Sequence, residues 1–315
     1  MPAGTRAREH GVAPHLALIA VQVMFGSWPI VGKIALRAFS STGLVALRVG
    51  GAAIAFTLLQ RKLGQLRRLP GKDLLWLTIA SLLGVVCNQL LYVKGLSLTT
   101  AINATLLSTT IPVCTLVISM ALGHDRLSLR RLAGIVLAAG GVIFLVDPLR
   151  GDFSAQTTVG NLLIVGNSLS YGAYIALSKD LFKRYGALNV ITWIFVIACF
   201  FTVPVGFFEL STSQAQAAGP MVWVVVVYTI LVPTVAAYYL NAWALARVAP
   251  STVATYIYLQ PLFAFGLAPL VLGERWNGRT LIASILIFAG VAVVTSRGRS
   301  RAIKEVEERP DALAR

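Results

Sequence analysis

With 315 residues, 57% hydrophobic and 12% charged, and a mean hydropathy of +0.78, this chain is too apolar for water to be its main solvent. In a soluble protein the net charge of +15 would point to nucleic acid, but here the basic residues sit in short connections and tails, where they set membrane topology instead. Cys87, Cys114 and Cys199 fall inside apolar runs without ligand-like spacing and indicate neither a disulfide nor a zinc framework.

A helix needs roughly 20 apolar residues to cross a ~30 Å hydrocarbon core, and it must pair its backbone N–H and C=O groups internally. Ten segments meet that requirement: 14–35, 41–60, 74–93, 100–122, 131–147, 159–178, 188–208, 221–246, 250–272 and 279–296. The first follows arginines, yet Leu16 to Ala35 is longer than the apolar region of a signal peptide and reads as a span. Between the segments stand the basic RKLGQLRRLPGK (61–72), GHDRLSLRR (123–131), DPLRGDFSAQTT (147–158), KDLFKRYG (179–186) and STSQAQAAGP (211–220). Pro250 opens a helix, whereas Pro112 and Pro261 lie inside spans and are expected to kink or unwind them.

The chain says nearly the same thing twice. Residues 111–146 lie without a gap on 260–295, an offset of 149, which sets Pro112 on Pro261, Asp125-Arg126 on Glu274-Arg275, Arg130 on Arg279, and Gly141 on Gly290. At an offset of 146, GSWPIVGK (Gly26 to Lys33) meets GAYIALSK (Gly172 to Lys179). The reading is an all-α integral membrane protein of ten transmembrane helices, as two five-helix repeats at 14–147 and 159–296, with a charged tail at 297–315. With the N-terminus in the cytoplasm, cytoplasmic segments carry 20 Lys and Arg and outer segments carry 6, so both termini are placed inside. An odd number of spans per repeat inverts the second copy, which is the architecture of many secondary transporters with a midplane site.

Polar and aromatic residues recurring at helical spacing mark the faces that can line such a site. In span 6, Asn167, Tyr171, Tyr174 and Ser178 fall at i, i+4, i+7 and i+11. Span 3 offers Asn88 and Tyr92 with Gln89 beside them; span 8 offers Tyr239 and Trp243 with Tyr238 and Asn241 beside them. Span 9 offers Tyr256 and Gln260 just before Pro261, and span 4 offers Thr105, Ser108 and Pro112. The competing reading is ordinary helix packing and an interfacial aromatic belt. Arg48, the one charge well inside a span, either contacts an anion in a cavity or snorkels to the outer surface. Lys33 and Lys179 read as interfacial anchors, and Asp125-Arg126 and Glu274-Arg275 as structural turns with local ion pairs.

All twelve carboxylates lie in tails, loops or span edges, so no midplane relay for protons is visible. Export down a gradient, or coupling through some other group, is the expectation. There is no G-x-x-x-x-G-K-[ST], no Ser-His-Asp set and no metal cluster, so neither ATP, nor a cofactor, nor an enzymatic reaction is expected.

Two five-span halves carry an early W/Y…K element (Trp28 to Lys33, Tyr174 to Lys179), a proline-led turn (Pro112 to Arg126, Pro261 to Arg275) and a glycine-bearing last helix. Over about residues 14 to 296 this resembles the drug/metabolite transporter superfamily, EamA type, although GHDRL stands in the first copy where the second has GER. The resemblance implies a basket-shaped carrier whose cavity is built by spans 1, 3, 4, 6, 8 and 9. It brings Trp28 into the candidate substrate site with Asn88, Tyr92, Ser108, Asn167, Tyr171, Tyr174, Tyr239, Trp243, Tyr256 and Gln260. The function expected is export of small metabolites, amino acids foremost, across a bacterial inner membrane by alternating access. The alternatives are a multidrug or nucleobase exporter of the same fold, and a receptor or scaffold that transports nothing.

Overall fold

A computed structural model describes residues 4–63, 71–121, 129–146, 155–212, 218–248, 253–254, 256–275 and 277–295. Among them run ten helices. The first, α1, is Gly4–Ala35, and α2 is Ser41–Lys62. Helix α3 runs from Gly71–Ser81 through a π turn, Leu82–Cys87, into Asn88–Leu98. Helix α4 comprises Ala101–Ser108 and Ile111–Ala121; α5 is Leu129–Val146, α6 Ala155–Tyr185 and α7 Ala187–Thr212. Helix α8 runs from Pro220–Ile230 through a second π turn, Leu231–Ala236, into Ala237–Leu245. Helix α9 enters through a tight turn at Tyr256–Leu259 and continues as Gln260–Leu272, and α10 is Gly278–Thr295. The Asp125-Arg126 turn, Arg150, Pro250 and the tail 297–315 lie outside the described residues.

Among the described residues, six helices combine the length and apolarity that a membrane crossing needs. Helix α6 is long enough but more polar, because Asn161, Asn167, Ser168, Ser170 and Ser178 are all buried on it. The outside is the reverse of a soluble surface: Phe200, Phe208 and Leu270 are 76%, 74% and 82% exposed. Such a surface suits lipid, and the chain is a multi-pass membrane protein.

The prolines act where the sequence places them. Helix α4 breaks at Thr109 and Thr110, just ahead of Pro112, where their N–H groups reach back only three residues, to Leu106 and Leu107. Helix α9 tightens at Tyr256–Leu259 ahead of Pro261. In both, a residue without an N–H cannot donate to the preceding turn, and the helix restarts around it.

The duplication reappears as paired contacts. A Cβ on Gly26 would stand 2.9 Å from the ring of Phe263, and one on Gly172 would stand 3.0 Å from Cys114 Cβ. These are one contact seen twice, since 26 and 172 differ by 146, and 114 and 263 by 149. The two π turns also differ by 149, and Gly84 in the first corresponds to Pro233 in the second. Helices α5 and α10 pack on each other reciprocally: Gly141 lies against Leu286 and Ile287, and Gly290 against Gly134 and Ala138.

Glu274 ties the halves together. Its carboxylate accepts the N–H groups of Ala101 (2.7 Å) and Ile102 (3.0 Å), while Thr100 Oγ1 accepts that of Asn103 (3.0 Å). The orphan donors at the start of α4 are thereby met, with a negative charge at the positive end of the helix. The sequence reads here as a structural turn held by a local ion pair; the carboxylate instead caps a helix whose start lies 173 residues away. Glu274→Ala is expected to cost about 1–2 kcal/mol, read as a lower thermal midpoint in detergent with transport retained at low temperature. An unchanged midpoint would remove this role.

Candidate functional site

Where α1, α2, α3, α4, α6, α8 and α9 converge, a small cavity is lined by Phe25, Trp28, Arg48, Asn88, Gln89, Tyr92, Ser108, Ile111, Asn167, Tyr171, Tyr238 and Gln260. Its volume is ≈ 60 Å³. Seven of the eleven candidate residues meet here: Trp28, Asn88, Tyr92, Ser108, Asn167, Tyr171 and Gln260.

The wall is built around Arg48, which is 1% exposed. The side chain does not snorkel. Pro233, having no N–H, leaves the Thr229 carbonyl without its usual helical donor, and the Thr234 hydroxyl donates to that carbonyl at 2.7 Å. With its proton committed there, Thr234 Oγ1 acts as an acceptor, and it receives Arg48 Nε at 3.1 Å and Nη2 at 2.8 Å. Nη1 donates to Gln89 Oε1 at 2.7 Å, and the guanidinium lies over Trp28, 3.6 Å from the ring centre. Three of five N–H groups are thus used, and every partner is neutral.

Because arginine only donates, the network beyond it has a fixed polarity. Gln89 Nε2 donates to the Tyr238 hydroxyl at 3.0 Å, and that hydroxyl donates to Asn88 Oδ1 at 2.9 Å. Asn167 Nδ2 donates to the Asn88 carbonyl at 2.9 Å. Gln89 and Tyr238 differ by 149, the offset of the sequence alignment, so each touches the residue aligned with it. Arg48 has no such counterpart, because α2 and α7 start 146 apart and the matching position holds Ile194. Elsewhere on the wall, Asn241 donates to the Tyr171 hydroxyl at 3.1 Å, and Gln260 to Gln22 at 2.7 Å.

The other four candidates lie elsewhere. Tyr174 is buried behind the cavity, its ring 5.4 Å from that of Tyr171 and 6.2 Å from that of Phe182. Tyr239 and Trp243 line a much larger vestibule of ≈ 650 Å³ with Phe182, Lys183, Asn189 and Arg247. There Arg247 stacks on Trp243 at 4.0 Å. Tyr256 bonds His15 at 2.8 Å, away from the cavity. Tyr174 therefore stands between Tyr171 of the cavity and Phe182 of the vestibule as a layer of aromatic rings.

The profile described as the EamA-like transporter family matches residues 13–147 and again 158–296. An uncharacterised transporter of Bacillus subtilis is 25% identical over 89% of this chain and 86% of its own. A protein of Streptantibioticus cattleyicolor named a probable terminal-alkyne amino-acid exporter is 25% identical over 90% of this chain and 95% of its own. A solved structure at 19% identity superposes with a TM-score of 0.64 over 91% of this chain and 98% of that one, a likeness of fold.

Proposed function

Since the chain belongs to the EamA-like transporter family, within the drug/metabolite transporter superfamily, and is a transporter rather than an enzyme, we propose that it exports small carboxylate-bearing metabolites, amino acids among them. The observation that carries this reading is Arg48: a buried cation on the cavity wall whose partners are all neutral and which keeps two N–H groups to offer. A buried charge is expensive without a counter-charge, and a planar carboxylate is the natural partner of a guanidinium. Around it, Trp28, Tyr92, Tyr171 and Tyr238 offer ring faces to an apolar or aromatic body. The amino-acid substrate in the name of the Streptantibioticus relative agrees with that chemistry.

In this proposal the protein sits in a bacterial inner membrane with both termini in the cytoplasm. The vestibule then opens inward, and Tyr174 and Phe182 close the inner side of the cavity. Rocking of the halves about the Gln89–Tyr238 contact would part the aromatic layer and expose the cavity to the vestibule. The test is counterflow in proteoliposomes preloaded with single amino acids or single organic monocarboxylates, with labelled tracer outside and no ion gradient. Exchange with a subset of carboxylate-bearing solutes is expected. No exchange, in vesicles containing folded protein, would end this reading.

A further inference from the structure

Resting on that reading, we propose that the site selects organic monoanions, an apolar or aromatic body with one carboxylate and no protonated amine, over the zwitterionic amino acids that share the same body. The argument is one of charge balance. An amino acid brings an ammonium within a few ångströms of its carboxylate, so a site that seats the carboxylate on Arg48 must also accommodate a second cation next to the first. Sites built for zwitterions answer with an acid or with carbonyls freed for the purpose. Among the described residues this cavity has Arg48 as its single charge, and Gln89 Oε1 and Asn88 Oδ1 already accept hydrogen bonds, which leaves an ammonium, of the amide oxygens, only the neutral ones of Asn167 and Gln260 and no carboxylate. The Ser108 hydroxyl is turned back onto the Ala104 carbonyl at 2.8 Å.

The carboxylates whose side chains are described lie elsewhere. Asp73 takes Arg184 at 3.4 Å and the Tyr185 hydroxyl; Glu209 takes the Thr42 hydroxyl; Glu274 caps α4. Asp180 is exposed near the end of α6. The vestibule repeats the bias: Lys183 and Arg247 line it, and among the described residues no carboxylate does, Asp73 standing behind Tyr185, whose hydroxyl donates to it. From vestibule to cavity a solute would pass Lys183, Arg247 and then Arg48, a sequence of cations that attracts net negative charge and gains little from a zwitterion.

A matched ligand set separates the possibilities. In detergent-solubilised full-length protein, stabilisation against thermal unfolding is measured for 3-phenylpropionate, for phenylalanine, which adds an amine, and for 2-phenylethylamine, which has only the amine. We expect half-maximal stabilisation by 3-phenylpropionate at a concentration at least tenfold below that of phenylalanine, none by 2-phenylethylamine, and loss of the effect in Arg48→Met. Should Arg48→Met not purify as folded protein, Arg48→Lys keeps the charge with fewer donors and is expected to bind more weakly in the same order. Phenylalanine equal to or better than 3-phenylpropionate would overturn the selectivity while leaving a carboxylate carrier standing. Binding of the amine alone, or of neither carboxylate, would overturn both this inference and the carboxylate reading beneath it.

Discussion

Arg48→Met is expected to reduce counterflow of carboxylate substrates about 30-fold to 4,000-fold while leaving the protein as stable as before, or more so. Truncating one member of a buried, hydrogen-bonded charge pair costs about 2–5 kcal/mol of binding, and every 1.4 kcal/mol is tenfold. The empty protein meets the opposite balance. There Arg48 is a desolvated cation, 1% exposed, held by Thr234, Gln89 and the Trp28 face and, among the described residues, by no acid. Methionine has similar length, no desolvation cost, and packs well against an aromatic ring. Its penalties are the donors lost to Gln89 Oε1, whose amide keeps its bond to Tyr238, and to Thr234 Oγ1, whose hydroxyl keeps its bond to the Thr229 carbonyl. Side chains retained for function commonly weaken the fold that holds them, so loss of transport with an equal or higher thermal midpoint is the signature. A large fall in midpoint together with transport would instead make Arg48 a structural residue.

The second large effect is on assembly. Gly290→Ala is expected to destabilise the protein by about 2–3 kcal/mol, whereas Gly140→Ala, on the facing helix, should stay within about 0.5 kcal/mol of the parent. A Cβ on Gly290 would stand 2.4 Å from Ala138 N and 2.6 Å from Gly134 O. Both are backbone atoms of α5, so no side chain can swing aside, and α5 and α10 must separate along the contact that joins the repeats. Gly140 has nothing within 4 Å of its Cβ position, and alanine there gains helix propensity. Thermal midpoints of the two variants in one detergent decide the matter. Equal midpoints would mean that the α5–α10 contact does not hold the halves together.

The sequence was generous about repetition and poor about faces. The offset of 149, read from aligned letters, reappears in the two π turns and in the reciprocal Gly141 and Gly290 contacts, while the offset of 146 joins it in the contacts of Gly26 and Gly172. Asn167 and Tyr171 were found by spacing on one helix and do line the cavity. Tyr174 shares their stripe but lies a turn further along, past the cavity and behind Tyr171. On α8 the spacing selects Tyr239 and Trp243, yet Tyr238 is the residue that reaches the centre. Both faces of that turn are aromatic and polar, so no periodicity on α8 alone can rank them. Gln89, Tyr238 and Arg48 were visible in the sequence as neighbours or open alternatives, and Phe25, Ile111 and Gln22 carried no signal of their own.

What the chain determined by itself is what its letters encode alone: apolar stretches long enough for a bilayer, breakers between them, prolines that interrupt α4 and α9, and a second stretch aligned with the first at a fixed offset. These follow from hydropathy, from a missing N–H and from counting. Only the tertiary structure decided that Arg48 turns inward to Thr234, 186 residues away, and that Gln89 meets the residue aligned with it. The physical reason is that a polar side chain in a membrane helix takes whichever neighbour satisfies it, and that neighbour is set by how the two halves pack across α2, α3 and α8, a relation no single segment carries.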